Sequence, residues 1–500
     1  MRSKSTLNRC AFPGAKVPPP DPRYPTLVRG FNQRFVGTPQ YVQLCGDVKQ
    51  VRQAVQEALK KGLRITVRGG GHCYENFVSG NHGGLIIDLS PLNAVCRAAG
   101  DESLFYIEGG CTLWDVYSQL YKEYGVTIPG GSCSTVGAGG HIMGGGYGLL
   151  SRKYGLTVDH LDKIELVRVN EAREVEVITV SRDSQDKDEQ DIFWAHLGGG
   201  GGNFGIVTKY WFKEPPAAPS WAYVTSIAWD WDKITPRRFA ELVNNYGNFF
   251  AQHSEIDSPY KELFALLHLT QKAATQIVLT IQYVGDHPAL IDSFIDAIRP
   301  QRVAHVPQRV PVGFHHLVVQ TAQTRKMPWL EATQTLDGTG PNQRGKYKSA
   351  YMIEPFPDAQ IKVMWEYLTD PDYRNPQALL QVDSYGCEIN RIARAATAIP
   401  QRSSIMKLQY QTYWTEPEDD EVNLSWIRNF YTAMYGPQGP YPDGTVDGCY
   451  VNYPDSDLVN WQYLYYKENY PRLQQAKAKS DPLNIFNHQQ SIQLPRDDHH

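Results

Sequence analysis

The chain has 500 residues, of which 41% are hydrophobic and 20% charged, and its formal net charge at pH 7 is −4. Its lysines and arginines form no block, which argues against nucleic acid or an anionic membrane surface as a partner. No stretch approaches the roughly 20 apolar residues of a membrane span, and the length predicts two domains, or two lobes that fold together.

Proline-rich residues 1–40 are expected to wrap a surface before the main fold begins. Apolar residues at a 3.6-residue period predict a helix over Val48–Lys61, which Gly62 ends. A second helix, over Thr112–Tyr124, begins at a threonine cap, and a third is expected around Asp191–His196. Four short apolar runs predict strands: Leu63–Arg68, Leu85–Leu89, Leu104–Glu108 and Lys163–Val169.

After Pro215 the pattern changes to alternating strands interleaved with helices. The predicted strands are Ala222–Trp231, Thr275–Val284, Gln377–Val382 and Ser404–Trp414. The predicted helices are Pro236–Phe250, Pro288–Ile298, Leu424–Tyr435 and, near the end, Asn460–Lys479. This order indicates an α+β protein whose second lobe is an antiparallel sheet with helices on one face.

The longest glycine-rich stretch is Gly130–Gly148, and it is accompanied by Arg68–His72 upstream and Leu197–Thr208 downstream. Glycine at this density is expected to exclude an ordinary helix or a central strand. It permits backbone N–H groups to approach an anionic group closely. None of the loops matches a Rossmann or Walker motif. A phosphate-bearing cofactor lying along the loops would explain them.

His72 and Cys133 each lie on one of these glycine loops. A loop imidazole bonded to backbone and an inert small residue are the plain structural readings of the two. Glycine neighbours cannot bury either side chain, however, and that is typical of a modifiable nucleophile. The eight cysteines form no C-x-x-C pair, so neither a zinc site nor a disulfide framework is predicted.

No metal is assigned to the chain. The adjacent His315 and His316 would point to opposite faces of a strand, and His499 and His500 are terminal. Residues 1–10 carry positive charge with no apolar segment behind it, so a cytoplasmic location is expected. A processed N-terminus would have the same appearance.

Six motifs occur in order along the chain: Arg68–His72 (RGGGH), Cys133–Gly137 (CSTVG), Gly139–Gly148, Gly202–Thr208 (GNFGIVT), Tyr450–Asp455 (YVNYPD) and Asp481–Phe486 (DPLNIF). Together they resemble the berberine-bridge-enzyme-like family, flavoproteins with the vanillyl-alcohol-oxidase (PCMH-type FAD-binding) fold. The resemblance runs from about residue 35 to residue 490. It implies a two-lobed fold with an FAD-binding domain over 1–215, a substrate-binding domain over 216–445 and a C-terminal segment over 446–500 that returns to the FAD domain.

The resemblance further implies bicovalent FAD, with His72 bonded to the 8α-methyl carbon of the ring and Cys133 to C6. Two such bonds would hold the ring in an open cleft and make it a stronger oxidant. The resemblance implies three further groups of cofactor contacts. Ile206 and Val207 would line the adenine side, and Tyr450 and Asn452 would lie at the flavin end. The phosphates would lie along the backbone of Arg68, Gly69, Gly70, Gly71, Val136, Gly137, Gly139, Gly140, His141, Gly145 and Gly146.

Three tyrosines are the catalytic candidates that the resemblance implies. Tyr453 matches the base that removes a hydroxyl proton in related oxidases, although an unperturbed phenol is a poor base at neutral pH. Tyr147 matches a tyrosine that lines the same site in relatives, and it is also a substrate-binding candidate. Tyr385 matches a catalytic position in one type of tailoring oxidase, with Asp383 orienting it or a substrate hydroxyl. Packing at a strand end is the alternative for that pair.

The resemblance thus implies an FAD-dependent oxidase acting on a hydroxyl-bearing carbon of a carbohydrate or glycosylated natural product, with O2 reduced to hydrogen peroxide. The alternative reaction is oxidative cyclisation or desaturation of an alkaloid or polyketide. A flavin-carrying binding module without turnover is disfavoured, because His72, Cys133, Asn452 and Tyr453 are all present.

Overall fold

The structure, a computed structural model, describes residues 12–311 and 322–496. His315, His316, His499, His500 and residues 1–10 lie outside the described residues. The α-helices within the described ranges are α1 (Tyr24–Leu27), α2 (Val48–Lys61), α3 (Leu113–Tyr124), α4 (Ala138–Met143), α5 (Ser151–Tyr154), α6 (Lys187–Ala195), α7 (Pro236–Gln252), α8 (Ala289–Ile298), α9 (Trp329–Thr335), α10 (Asp358–Leu368), α11 (Asp420–Tyr435), α12 (Trp461–Tyr466) and α13 (Tyr470–Ser480). None of these helices is both long and apolar enough to cross a bilayer.

Two sheets occupy the N-terminal part of the described chain. The first consists of β1 (Ala15–Val17), β2 (Tyr41–Leu44), β3 (Ile65–Arg68) and β4 (Leu85–Asp88), in the order β1-β2-β4-β3. Its β2–β4 and β3–β4 pairs are parallel. The second is antiparallel and consists of β5 (Val95–Arg97), β6 (Leu104–Glu108), β7 (Leu161–Val169), β8 (Val175–Ser181) and β9 (Ile206–Lys213), in the order β5-β6-β9-β7-β8.

The third sheet is antiparallel and lies between residues 221 and 414. It consists of β10 (Trp221–Asp230), β11 (Leu263–Thr270), β12 (Gln276–Tyr283), β13 (Val306–Pro307), β14 (Arg325–Pro328), β15 (Arg344–Met352), β16 (Leu379–Ser384) and β17 (Met406–Trp414). Its order is β13-β10-β12-β11-β16-β17-β15, and β14 pairs with β10. The α+β class and the antiparallel second lobe are therefore confirmed. The boundaries at 215 and 445 stay a prediction.

The two faces of the third sheet differ because successive side chains point to opposite sides. Val382 and Leu408 face a core shared with Phe239 of α7 and Ile427 of α11. The residues between and beside them in β16 and β17 are polar and face the opposite way, toward the glycine loops. One face of the sheet is thus a hydrophobic core, and the other is available for chemistry.

Helices α2 and α3 have the ends that the sequence predicts. The Asp47 side chain caps α2, and Gly62 follows it with φ 62°. Thr112 and Asp115 form a reciprocal capping box at the start of α3. Local capping chemistry is sufficient to define these two elements.

The expectation that the glycine stretch excludes a helix is wrong for α4, which runs through Gly139 and Gly140. A Cβ added to Gly139 would lie 2.6 Å from the carbonyl oxygen of Gly109. The glycine lets this helix approach neighbouring backbone, so tertiary packing outweighs the helix-propensity cost of about 1 kcal/mol.

The single helix predicted over Asn460–Lys479 is also wrong, since α12 and α13 are separate. Lys467 lies between them with φ 48°, which turns the chain out of the first helix. Its ammonium group pairs with the buried carboxylate of Asp447. The second helix then packs against α6, where Arg472 binds Asp191.

Candidate active site

A cavity of about 370 Å³ lies between the glycine loops and the polar face of the third sheet. One part of its wall comes from the segments that carry His72 and Cys133. Another comes from strands β16 and β17, and a third from the segment 450–454. Residues far apart in the sequence therefore meet around one space.

Close backbone contact between two glycine loops builds the cavity floor. A Cβ added to Gly70 would lie 2.2 Å from the backbone nitrogen of Gly137, and one added to Gly137 would meet Gly70 equally closely. No side chain fits at either position without displacing the opposite backbone. The loops thus leave peptide groups, rather than side chains, beside the cavity, which suits an anionic cofactor.

Arg68 lines the cavity, but its guanidinium is engaged elsewhere. Its Nε donates to the Asp88 carboxylate at 2.8 Å, and Nη1 donates to the Arg29 carbonyl at 3.1 Å. This buried pair joins β3 to β4. Arg68 therefore fastens the loop that carries His72.

His72 and Cys133 both border the cavity. His72 Nε2 lies 2.9 Å from Thr135 Oγ1, and its ring stacks on Phe31 at 4.6 Å between centroids. Burial lowers the pKa of His72 to about 4, so its imidazole is neutral at pH 7 and can act as a nucleophile. Burial, together with the charge of Asp337, raises the pKa of the Cys133 thiol to about 12.

Lys407 is fully buried and lies behind the sheet-side wall, since it is absent from the described residues that border the cavity. Its Nζ donates to Tyr453 Oη at 3.0 Å and to Asp383 Oδ2 at 2.8 Å. The ammonium also lies 4.3 Å from the ring centroid of Tyr453 and 4.6 Å from that of Tyr147. One cation thus contacts two predicted catalytic tyrosines and the predicted substrate-binding aspartate.

Strand register explains this arrangement. Asp383 of β16 lies directly opposite Lys407 of β17, and Gln381 lies opposite Gln409. Directly opposed residues share a face of the sheet, and on this face Gln381, Asp383 and Gln409 border the cavity. Gln381 donates to the second carboxylate oxygen of Asp383 at 2.7 Å. The Asp383 carboxylate is therefore held by both an ammonium and an amide.

The segment that carries Tyr453 is joined to the glycine loop by Asn452. Asn452 Nδ2 donates to the His141 carbonyl at 2.9 Å and to Tyr450 Oη at 3.1 Å. The rings of Tyr450 and Tyr453 meet edge to face at 5.0 Å. Burial raises the pKa of Tyr453 well above its ordinary value, and the Asp383 charge adds to that effect.

Tyr147 and Tyr385 occupy different positions. Tyr147 borders the cavity, and its hydroxyl donates to the Ser384 carbonyl at 2.6 Å. Tyr385 lies behind it, with ring centroids 5.3 Å apart, and donates to the Gln401 carbonyl at 3.0 Å. Tyr385 is not among the described residues that border the cavity. Its position is the one expected of a residue that packs at a strand end.

Most of the predicted cofactor and substrate positions border the cavity: His72, Cys133, Arg68, Gly69, Gly70, Gly71, Val136, Gly137, Gly139, Gly140, His141, Ile206, Val207, Tyr450, Asn452, Tyr453, Tyr147 and Asp383. The described cavity wall does not include Gly145 and Gly146. Cβ atoms at those two positions would instead meet Ile399 and Thr157.

Lys407 was not predicted from the sequence. The available signal is its strand, Met406–Trp414, in which lysine, glutamine, glutamine and tyrosine alternate with methionine, leucine, tyrosine, threonine and tryptophan. Alternation of that kind indicates a polar face. It does not identify which residue on the face contacts a catalytic group, because that depends on the register with β16.

Comparison with known proteins defines the class. Residues 39–176 match the model of an FAD binding domain, and residues 449–493 match the model described as berberine and berberine like. The backbone cradle at Gly70 and Gly137, together with His72 and Cys133 on its border, fits that cofactor. The fold and site are those of an FAD-dependent oxidoreductase.

Known proteins are similar in sequence to nearly the whole chain. Aclacinomycin-N/aclacinomycin-A oxidase of Streptomyces galilaeus is 38% identical, with 96% of this chain and 90% of the relative covered. Hexose oxidase of Chondrus crispus is 39% identical, with 95% and 94% covered. The crystal structure of a glycopeptide hexose oxidase complexed with teicoplanin superposes with a TM-score of 0.88 at 37% identity, covering 96% of this chain and 99% of that one. The chain belongs to the berberine-bridge-enzyme-like family of FAD-linked oxidases, with the PCMH-type FAD-binding fold.

Proposed function

We propose that this enzyme oxidises a hydroxyl-bearing carbon of a carbohydrate or of a glycosylated natural product and passes the electrons to O2, giving hydrogen peroxide. The observation that carries the proposal is the hydrogen-bonded chain of Asp383, Lys407 and Tyr453, in which Asp383 and Tyr453 border the cavity and the buried Lys407 joins them. It offers a base for a substrate hydroxyl. The alcohol and glycoside oxidases among the relatives support the same substrate class.

The bound FAD would accept the hydride from carbon and return the electrons to O2. We propose that His72 and Cys133 bond to it covalently, since both border the cavity on glycine-rich loops. A tethered ring needs little enclosing protein. The substrate can then be large, which agrees with a cavity bordered by two lobes.

Tyr453 is the proposed base. In its phenolate form, Oη takes the hydroxyl proton of the substrate as the C–H bond breaks. Burial disfavours the phenolate, but Lys407 Nζ at 3.0 Å provides a positive charge that stabilises it. Asp383 keeps that ammonium in place from the opposite side.

The rest of the sheet-side wall is suited to a polyhydroxy substrate. The amides of Gln381, Gln409 and Gln411 border the cavity, as does the Tyr413 phenol. Gln411 donates to Gln381 at 3.2 Å, and Tyr413 donates to Gln411. Amides and phenols provide both donors and acceptors, which sugar hydroxyl groups require. An apolar alkaloid would offer no partner to the donors and acceptors that these groups have left, at a cost.

The test is flavin reduction with peroxide detection across simple sugars, oligosaccharides, glycosylated antibiotics, and alkaloid or polyketide alcohols. Bleaching of the flavin and peroxide release with members of the first three groups would support the proposal. Turnover confined to substrates without a sugar would contradict it and favour the cyclisation or desaturation alternative. Bleaching without peroxide would contradict O2 as the acceptor.

A further inference from the structure

The loop that carries Cys133 is held by a segment more than 200 positions away. The Asp337 carboxylate accepts from the Ser134 backbone N–H at 3.0 Å and from Ser134 Oγ at 2.6 Å. Thr339 Oγ1 accepts from the Thr135 backbone N–H at 3.3 Å. Thr339 N–H in turn donates to Asp337 at 2.8 Å. We call Asp337–Thr339 the clasp.

The clasp reaches both proposed attachment residues. Thr135, which it holds, has its Oγ1 2.9 Å from His72 Nε2. Burial and the Asp337 charge raise the pKa of the Cys133 thiol, whereas the Gly338 backbone N–H lowers it. Gly338 borders the cavity beside Cys133. The clasp therefore touches the loop on the side where the cofactor would bind.

Asp337 is committed to this loop. It is half-buried, and no lysine, arginine or histidine of the described chain lies within 4 Å of its carboxylate as an ion-pair partner. A carboxylate accepting from a backbone N–H and a hydroxyl makes two charge-assisted hydrogen bonds, which are stronger than neutral ones. Those bonds fix Ser134, the residue directly after Cys133.

We propose that Asp337 and Thr339 are positioning residues for covalent attachment of FAD at Cys133. They hold residues 133–135 so that the Cys133 sulfur faces the ring carbon to which it bonds. The inference rests on the bicovalent FAD proposed above and adds the residues that direct one of its two bonds.

The attachment balances with O2 as the oxidant. The sulfur–carbon bond forms as the thiol S–H and the ring C–H bonds break, which releases two protons and two electrons. O2 accepts all four and becomes hydrogen peroxide. The clasp takes no part in electron transfer. Its contribution is orientation, and misplacing a reacting atom by about 1 Å costs on the order of 100-fold in rate.

The test measures the two covalent bonds separately by mass spectrometry of peptides from the purified holoprotein, harvested at a series of times after induction. Asp337→Ala is expected to acquire Cys133-linked flavin about tenfold more slowly. Its His72-linked flavin should match that of the parent, and its Tm should fall by only a few degrees for the hydrogen bonds lost. Ser134→Ala, which removes one of the two bonds to Asp337, should give a smaller delay in the same direction.

Asp101 provides a matched control, because it accepts from the Ser103 backbone N–H at 2.9 Å and from Ser103 Oγ at 2.7 Å on the surface. Asp101→Ala should leave both linkages unchanged. Should Asp337→Ala fail to fold, Ser134→Ala and Thr339→Val decide the question by the same measurement.

If the clasp variants attach flavin to Cys133 at the parental rate, this inference is overturned and the bicovalent proposal stands. A joint loss of both linkages and of Tm would overturn it in favour of a general structural role. A parent protein without flavin on Cys133 would overturn the bicovalent proposal and the inference together.

Discussion

Lys407 Nζ donates a hydrogen bond to Tyr453 Oη at 3.0 Å, and this contact joins the substrate-side sheet to the C-terminal segment. The lysine is fully buried and is paired with Asp383 at 2.8 Å. Burying two charges costs solvation energy that their attraction offsets only in part. Removing one partner of such a pair destabilises a protein by about 3–5 kcal/mol. Its contact with the proposed base gives it a chemical role.

Replacing Lys407 should change the pH dependence of turnover. Since the pKa of Tyr453 is raised by burial, the phenol is neutral at pH 7, and turnover should rise with pH as the phenolate forms. Lys407→Met removes the stabilising charge. The rise of kcat with pH should therefore occur at higher pH than in the parent, with kcat at pH 7 lower by about tenfold or more.

A paired variant separates this effect from instability. Lys407→Met leaves Asp383 as an unpaired buried charge, whereas Lys407→Met with Asp383→Asn does not. The double variant should recover much of the lost free energy of unfolding. Because Asp383→Asn also removes a charge that raises the pKa of Tyr453, its pH profile should lie closer to that of the parent. A parental pH profile in the single variant Lys407→Met would remove Lys407 from the mechanism.

Covalent attachment makes a prediction about denatured protein. After denaturation and precipitation, flavin absorbance should remain with the parent polypeptide, and also with His72→Ala and with Cys133→Ala, since each keeps one bond. Only the double variant should release FAD to the supernatant. Free FAD from the denatured parent would refute both tethers, and release from one single variant would leave one tether.

An ion cluster of the buried Lys346 and Lys348 with the more exposed Asp457 and Arg428 predicts acid sensitivity. Burial would raise the pKa of Asp457, but Arg428, Lys346 and Lys348 hold it well below its ordinary value. A lowered folded-state pKa stabilises the fold above the unfolded value of about 4, and that stability is lost as the pH falls toward the folded value.

Asp457→Asn should therefore destabilise the protein by about 1 kcal/mol or less at pH 7, since solvent screens an exposed carboxylate, and should flatten the decline of Tm below about pH 4. Equilibrium unfolding across that pH range is the measurement. Glu366→Gln, which alters an exposed helix pair with Lys362, should leave the slope unchanged. An equally steep acid decline in Asp457→Asn would exclude the cluster as its cause.

Motifs with their own backbone requirements were predictable from the sequence. His72 and Cys133 lie on glycine loops, and Tyr453 lies in the six-residue run Tyr450–Asp455, so each could be predicted as a site residue, and all three border the cavity. Helices α2 and α3 were equally predictable, because their caps are local. The sequence patterns predicted no strand at β11 or at β15, although both belong to the third sheet.

Features that depend on long-range contacts could not be predicted. Lys407 acquires its role from the register of β17 against β16. Asp337 meets Ser134 across 203 positions. Helix α4 forms because glycine fits against Gly109, and α12 ends because Lys467 turns inward to Asp447. In each case a distant partner decides the local outcome.

The most direct test of the account is the anaerobic rate of flavin reduction in Tyr453→Phe, with a substrate found in the peroxide screen. The change deletes the proton-accepting oxygen and leaves the ring, so reduction should slow by about 100- to 10,000-fold while covalent flavin content stays parental. Tyr441→Phe, at an exposed tyrosine, is the control and should reduce at the parental rate. Parental reduction in Tyr453→Phe would contradict the claim that this tyrosine takes the substrate's proton.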